Sequence, residues 1–290
     1  MFDLRLILVA LIWGVNFPVI KHALTEFLPL SFTVVRFAIA SAALFCVMAL
    51  RRERFAVSRS DLPAIAALGL AGITFYNLLF MQGLQLTTAS HSALFISMSP
   101  LFAAAIQVIR SRERLRSTLV LGLLLASAGA YCIIRSSHGE VRFDSETVTG
   151  DLLTICASVL WAFYTVLASP LLERYPPVTI TAWSIAAGTV LLLPASAGEL
   201  SRQHWGMISA GSWAALGFAA LFGAAAAYVL WYEGVKRIGA TSTIAYHYLV
   251  PFIAVLVSAL FLGDAVTPLT VAGGAAILGG VALVQRQRRP

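Results

Sequence analysis

The chain alternates between long apolar stretches and short polar connections. Ten stretches each approach the roughly 20 apolar residues a helix needs to cross a hydrocarbon core: 4–24, 30–50, 62–84, 89–109, 117–135, 150–170, 178–197, 212–232, 242–262 and 268–285. The pattern predicts an all-α integral membrane protein of ten transmembrane helices. The longest connection, SSHGEVRFDSETVTG at 136–150, is polar and divides the chain into two sets of five stretches. The expected organisation is a first unit over 1–136, a connecting loop over 137–149 and a second unit over 150–290.

Composition agrees with this pattern. The chain is 59% hydrophobic and 11% charged, with a mean hydropathy of +0.86. A soluble domain carries about 25% charged residues, so this chain lacks the polar surface to stand in water. The N-terminus, MFDLRLILVALIWGVNF, has no small-residue cleavage site, and is expected to be the first span rather than a signal peptide.

The net charge of +7 does not point to nucleic acid, because the cations sit in short runs between apolar stretches. With the N-terminus in the cytoplasm, fifteen Arg and Lys fall on the cytoplasmic side, among them Arg51, Arg52, Arg110, Arg174, Lys236 and Arg288. Four fall outside: Lys21, Arg135, Arg142 and Arg202. This asymmetry predicts both termini inside, a periplasmic connecting loop and residence in the inner membrane. The basic loops are expected to touch anionic lipid. Cys46, Cys132 and Cys156 lie in apolar stretches without metal-ligand spacing and read as buried filler. No metal or other cofactor is expected.

The stretch ALFISMSPLFAAAI at 93–106 carries a proline where a helix should be continuous. Sliding the sequence along itself by 151 residues brings Pro100 onto Pro251, Gly83 onto Gly234, Gly122 onto Gly273 and Gly129 onto Gly280. An offset of 148 brings Trp13 onto Trp161, Pro29 onto Pro177 and Gly69 onto Gly217. The two offsets differ by three residues, in or near the third stretch. An odd number of spans per copy inverts the second copy, so the expectation is an inverted five-helix repeat with a mid-membrane site, as in many secondary transporters. Pro18, Pro100 and Pro251 are then the expected kinks or hinges.

These same residues carry a family resemblance. ALIWGVNFPVIK at 10–21, RFAIASAAL in the second stretch and the spacing of Gly83, Ala89 and Pro100 resemble the drug/metabolite transporter superfamily. The closest subtype is the EamA-type ten-span exporter, most like the YddG-type aromatic amino-acid exporters. The resemblance implies ten helices, inverted repeats, efflux from the cytoplasm, and a cavity between spans one, three, four, six, eight and nine.

Aromatic residues recur on the faces where such a cavity would lie. Trp13, Asn16 and Phe17 share a face, as do their counterparts Trp161, Tyr164 and Thr165. Tyr76, Asn77 and Phe80 line the third stretch; Tyr228, Trp231 and Tyr232 line the eighth. Phe95 and Ser99 come from the fourth, and Tyr246 and His247 from the ninth. Aromatic walls with scattered amides and hydroxyls suit a small amphiphilic solute. The expected binding set is Trp13, Asn16, Phe17, Tyr76, Phe80, Phe95, Ser99, Trp161, Tyr164, Tyr228, Trp231, Tyr246 and His247.

None of the 13 acidic residues sits at the centre of a stretch, which disfavours a buried proton relay and a drug-cation site. Arg36 is the one charge well inside a stretch, about 9 Å beyond Leu30 by helical rise. It reads as a side chain snorkelling to the interface or held in a structural pair, or as a counter-ion for a carboxylate in a solute or gate. No GxSxG or HExxH pattern suggests an intramembrane enzyme, and nothing resembles a channel filter. The leading expectation is a facilitator exporting neutral, aromatic or hydrophobic amino acids by alternating access. A proton-coupled exporter of other metabolites or drug cations is the alternative. One chain holds two repeats, so a monomer suffices.

Overall fold

A computed structural model describes residues 3–53, 55–87, 89–111, 116–138, 148–262 and 267–286, and every regular element among them is helical. Nine helical stretches are long and apolar enough to cross a membrane, and a tenth apolar helix, Leu94–Arg110, is shorter. The protein is therefore a multi-pass membrane protein, and its spans coincide with the ten apolar stretches. Second and seventh spans pack together, as do third with sixth, fifth with tenth, and first with eighth and ninth.

Prolines set where several helices begin. Leu28 and Pro176 are extended, with ψ of 140° and 144°, as residues before proline tend to be. Pro29 and Pro177 then open the second and seventh spans, Pro29–Leu50 and Pro177–Arg202, where a missing N–H costs nothing. Inside spans the effects differ. The fourth span breaks at Met98 into Ala89–Ser97 and Ser99–Ser111, with Pro100 in the first turn of the second piece. The ninth passes from Ala240–Ile244 through a 3₁₀ turn, Ala245–Tyr248, into Leu249–Leu262, with Pro251 again in the first turn. At Pro18 the first span, Leu4–Ala23, continues as one helix.

Two spans widen into π-helix, at Leu70–Phe75 in the third and Ala219–Ala226 in the eighth. A π segment inserts residues and disturbs the helical hydrogen-bond ladder, often at functional sites. In the third span side chains meet the displaced carbonyls. Asn77 Nδ2 donates to Ile73 O at 2.7 Å, while Thr74 Oγ1 donates across to Gly188 O of the seventh span at 2.8 Å.

Glycines bring backbones together. A Cβ on Gly129 would stand 2.5 Å from Gly273 O, and one on Gly122 2.8 Å from Gly280 O. Fifth and tenth spans thus cross with carbonyl against glycine at two places, as small-residue contacts permit in lipid. The cysteine expectation needs correction. Cys46 and Cys156 are exposed and Cys132 is half-buried. An apolar position in a membrane helix can face lipid as readily as protein, so burial in the bundle does not follow from hydropathy.

The Gly129–Gly273 contact leaves no room for a methyl group. Gly129→Ala should cost about 1–3 kcal/mol through overpacking, seen as a lower melting temperature of the detergent-solubilised protein. Gly217→Ala, where a Cβ meets nothing within 4 Å, should leave it unchanged.

Candidate functional site

Trp13 of the first span is the hub of an aromatic cluster. Its ring centroid lies 5.5 Å from Trp161, 5.1 Å from Trp231, 6.0 Å from Tyr228 and 5.8 Å from His247. Trp161 extends the cluster to Tyr76 and Tyr164, each at 5.4 Å. Phe80 stacks on Tyr76 at 5.9 Å, and Tyr232 on Tyr164 at 4.9 Å. The sequence-predicted residues Trp13, Tyr76, Phe80, Trp161, Tyr164, Tyr228, Trp231 and His247 therefore form one assembly. It draws on spans one, three, six, eight and nine, and Ser99 joins from the fourth by a 2.9 Å hydrogen bond with His247 Nδ1. The rings touch, so the wall is closed on itself in this conformation.

Polar bonds fix the rings. Trp13 Nε1 donates to Gly223 O, inside the π segment of the eighth span, at 2.9 Å. Trp231 Nε1 donates to Thr165 Oγ1 at 3.2 Å, and Thr165 donates to Trp161 O at 3.0 Å. Among the described residues of the cluster three buried groups have no hydrogen-bond partner, Trp161 Nε1, Tyr164 Oη and Asn16 Oδ1. Each is costly to leave bare in an apolar interior, and each is a ready contact for a polar solute. Among the described residues no group of three or more His, Cys, Asp or Glu could hold a metal.

Tyr246 is engaged elsewhere. Tyr246 is buried, but its hydroxyl accepts from Asp3 N at 2.7 Å, near the N-terminus and away from the tryptophans. Phe95 is half-buried beside the break at Met98. The backbone at Phe17 is helical, and its side chain lies outside the described set.

Arg36 turns inward rather than snorkelling. Its guanidinium carbon lies 4.4 Å from the centroid of Phe37, a fully buried ring, and 5.7 Å from that of Phe32. Nη2 donates to Asn77 Oδ1 at 3.4 Å, so a structural pair exists, although with a neutral partner. The Phe37 ring in turn is 6.0 Å from Tyr228. Phe37, Asn77 and Gly223 belong to the assembly but not to the predicted set.

The ends of the bundle are tied by exposed or partly exposed polar contacts. At the N-terminal end Arg5 pairs with Glu233, and Arg237 with Asp3 at 3.3 Å. Arg174 Nη1 meets Asp61 at 2.8 Å, and Tyr175 donates to the same carboxylate at 2.7 Å. A cleft of about 320 Å³ opens beside them, lined by Gln107, Arg110, Ser169, Glu173 and Thr241 among others. At the opposite end Glu199 Oε2 caps the second span by accepting from Leu30 N at 2.7 Å and Ser31 N at 3.3 Å. Glu26 accepts from Ser209 N at 2.7 Å.

The described helices thus form an apolar membrane-spanning bundle around an aromatic core, with polar contacts at both ends. The EamA-like transporter family model matches twice, over residues 2–135 and 148–286, and the chain belongs to that family. It is 31% identical to an uncharacterized transporter of Archaeoglobus fulgidus, covering 97% of this chain and 96% of that one. It is 29% identical to a probable terminal-alkyne amino-acid exporter of Streptantibioticus cattleyicolor, over 97% and 92% of the two chains. The uncharacterized transporter YyaM of Bacillus subtilis is 27% identical over 92% of this chain and 88% of its own. A crystal structure at 21% identity superposes with a TM-score of 0.84 over 99% of this chain and 98% of the other, which speaks for the fold.

The Ser209 amide, followed by the Ser212 side chain, holds the Glu26 carboxyl below the usual range. The stabilisation from this tie is present above the unfolded-state pKa and is lost as pH falls through the lower folded-state value. Hydrogen exchange should therefore show the Ser209 amide losing protection on acidification. In Glu26→Gln protection should be weaker at neutral pH and insensitive to that fall.

Proposed function

We propose that this protein exports neutral, aromatic or hydrophobic amino acids from the cytoplasm by alternating access of two inverted five-helix repeats, 1–136 and 150–290. The observation that carries the reading is the meeting of Trp13 and Trp161, centroids 5.5 Å apart, at the middle of the aromatic cluster. These two residues correspond under the 148-residue offset. Equivalent residues from opposed repeats meet only near the axis relating them, and in inverted-repeat transporters that axis passes through the site.

Other pairs support the same relation. A Cβ on Gly72 would strike the Tyr164 ring at 2.2 Å, and one on Gly223 would strike Asn16 at 2.6 Å. Gly72 and Gly223 correspond at 151, Asn16 and Tyr164 at 148. The Asp61–Arg174 tie at one end matches the Ser209–Glu26 tie at the other, again at 148. In the expected orientation the first closes the cytoplasmic side and the second the periplasmic side. The Ser209–Glu26 tie is exposed, whereas the Asp61 carboxylate is buried beside the exposed Arg174 side chain. A solute entering the core would part the rings and lie against their faces. The ammonium of its head would meet Asn16 Oδ1. The name of the Streptantibioticus relative, a probable amino-acid exporter, favours this cargo over an organic cation.

The test is uptake of labelled phenylalanine, tryptophan, threonine and an organic cation into proteoliposomes, with and without an imposed proton gradient. The expected result is saturable uptake of the aromatic amino acids, unchanged by the gradient. Trp13→Ala and Trp161→Ala should lower it at least about tenfold, since each removes an aromatic contact worth about 0.5–1.5 kcal/mol with several neighbours. Uptake of the cation alone, or uptake only with the gradient, would overturn the reading in favour of the coupled alternative.

A further inference from the structure

A guanidinium inside a membrane span is expensive unless an anion or several hydrogen-bond acceptors meet it. Arg36 has neither in full. Its hydrogen bond to Asn77 Oδ1 is long at 3.4 Å, and the acceptor is neutral. Its Nε is buried without a partner. Among the described residues the nearby titratable groups are the phenols of Tyr76 and Tyr228, uncharged near neutral pH, and no described carboxylate forms an ion pair with it. The Phe37 face at 4.4 Å offers a cation–π contact but no counter-charge.

The surroundings fix the group in place. Asn77 is anchored by its bond to Ile73 O in the π segment, which leaves its Oδ1 pointing at the arginine. Phe37 lies 6.0 Å from Tyr228, whose ring is 5.6 Å from Trp161 and 6.0 Å from Trp13. The uncompensated charge therefore borders the aromatic cluster. Its counterpart under the 148-residue offset is Ser184, so the repeat does not require a cation at this position. What the position lacks is an anion that comes and goes.

We propose that Arg36 is the binding group for a carboxylate on the transported solute, with the solute's apolar part against Trp13, Trp161 and Tyr228. This deepens the export reading above and rests on it for the amino-acid cargo. Arg36 Nε and Nη2 would take the two carboxylate oxygens side by side, and Asn77 would hold the guanidinium plane in register. A solute with an amide in place of the carboxylate leaves the cation unpaired and binds poorly.

The full-length protein in detergent reports binding through its clustered tryptophans. Fluorescence titrations would compare matched pairs: phenylalanine with phenylalaninamide, and 3-phenylpropionate with 3-phenylpropionamide. The expected result is at least about a tenfold preference for each acid, the worth of one charge-assisted hydrogen bond. Arg36→Gln should erase the preference and Arg36→Lys should keep part of it. Equal binding of acid and amide by the unmodified protein overturns the proposal, whether or not Arg36→Gln folds. A preference that survives in a folded Arg36→Gln overturns it too, while phenylalanine uptake would leave the export reading standing. If Arg36→Gln does not fold, loss of the preference in a folded Arg36→Lys counts against the assignment. Binding of 3-phenylpropionate without phenylalanine keeps the role of Arg36 and removes the amino-acid cargo. Binding of none of the four removes both.

Discussion

Hydrocarbon offers a backbone no water, so each carbonyl a helix leaves unsatisfied has to be met by another part of the protein. The bond from Trp13 Nε1 to Gly223 O is this rule at the centre of the molecule. The π segment in the eighth span disturbs its own ladder, and the indole of the first span answers. That one contact sets the orientation of Trp13, and Trp13 sets the cluster, since Trp161, Trp231, Tyr228 and His247 all pack on its ring. The third span solves the same problem through Asn77. Asn77 is also the only hydrogen-bonded neighbour of Arg36 among the described residues. Two departures from α-helical geometry thus position both the aromatic wall and the one intramembrane cation.

The energetics divide between centre and ends. A buried tryptophan or tyrosine removes about 150–250 Å² of surface from water or lipid, and the central rings hold one another edge to face or offset. The ends rely on exposed ion pairs and helix caps, such as Arg5–Glu233 and Glu199 at the second span. A transporter that has to open one end at a time is better served by weak ends than by a weak centre. The glycine contacts between fifth and tenth spans lie outside the cluster and hold those two helices as a unit.

Much of this was legible in the chain. Hydropathy located all ten spans, and self-comparison picked out Trp13, Trp161, Pro100 and Pro251 before any coordinates. Trp and Pro are rare enough that their ordered recurrence carries information that Leu and Ala do not. Other features were hidden for physical reasons. Tyr246 and His247 are neighbours in sequence, but successive residues of a 3₁₀ turn point about 120° apart. One therefore reaches Asp3 and the other the tryptophans. The cysteines were misread because lipid and protein select the same apolar side chains. The π segments leave no mark in composition.

Arg36 shows where sequence reasoning reaches its limit in a membrane. Depth along a helix follows from counting residues, but direction around it depends on what the neighbours offer. A long side chain near an interface usually reaches for water. Here the second span points Arg36 at Asn77 and over Phe37. Both are polar or polarisable enough to hold a guanidinium, and neither neutralises it. A structural arginine would be expected to have acquired a carboxylate on a facing helix, because breaking or omitting such a pair costs several kcal/mol. An arginine that has to exchange partners during a transport cycle cannot carry a permanent one, since a resident carboxylate would compete with every solute that arrived. The incomplete satisfaction of Arg36 is thus better understood as a requirement of reversible binding than as a defect of packing.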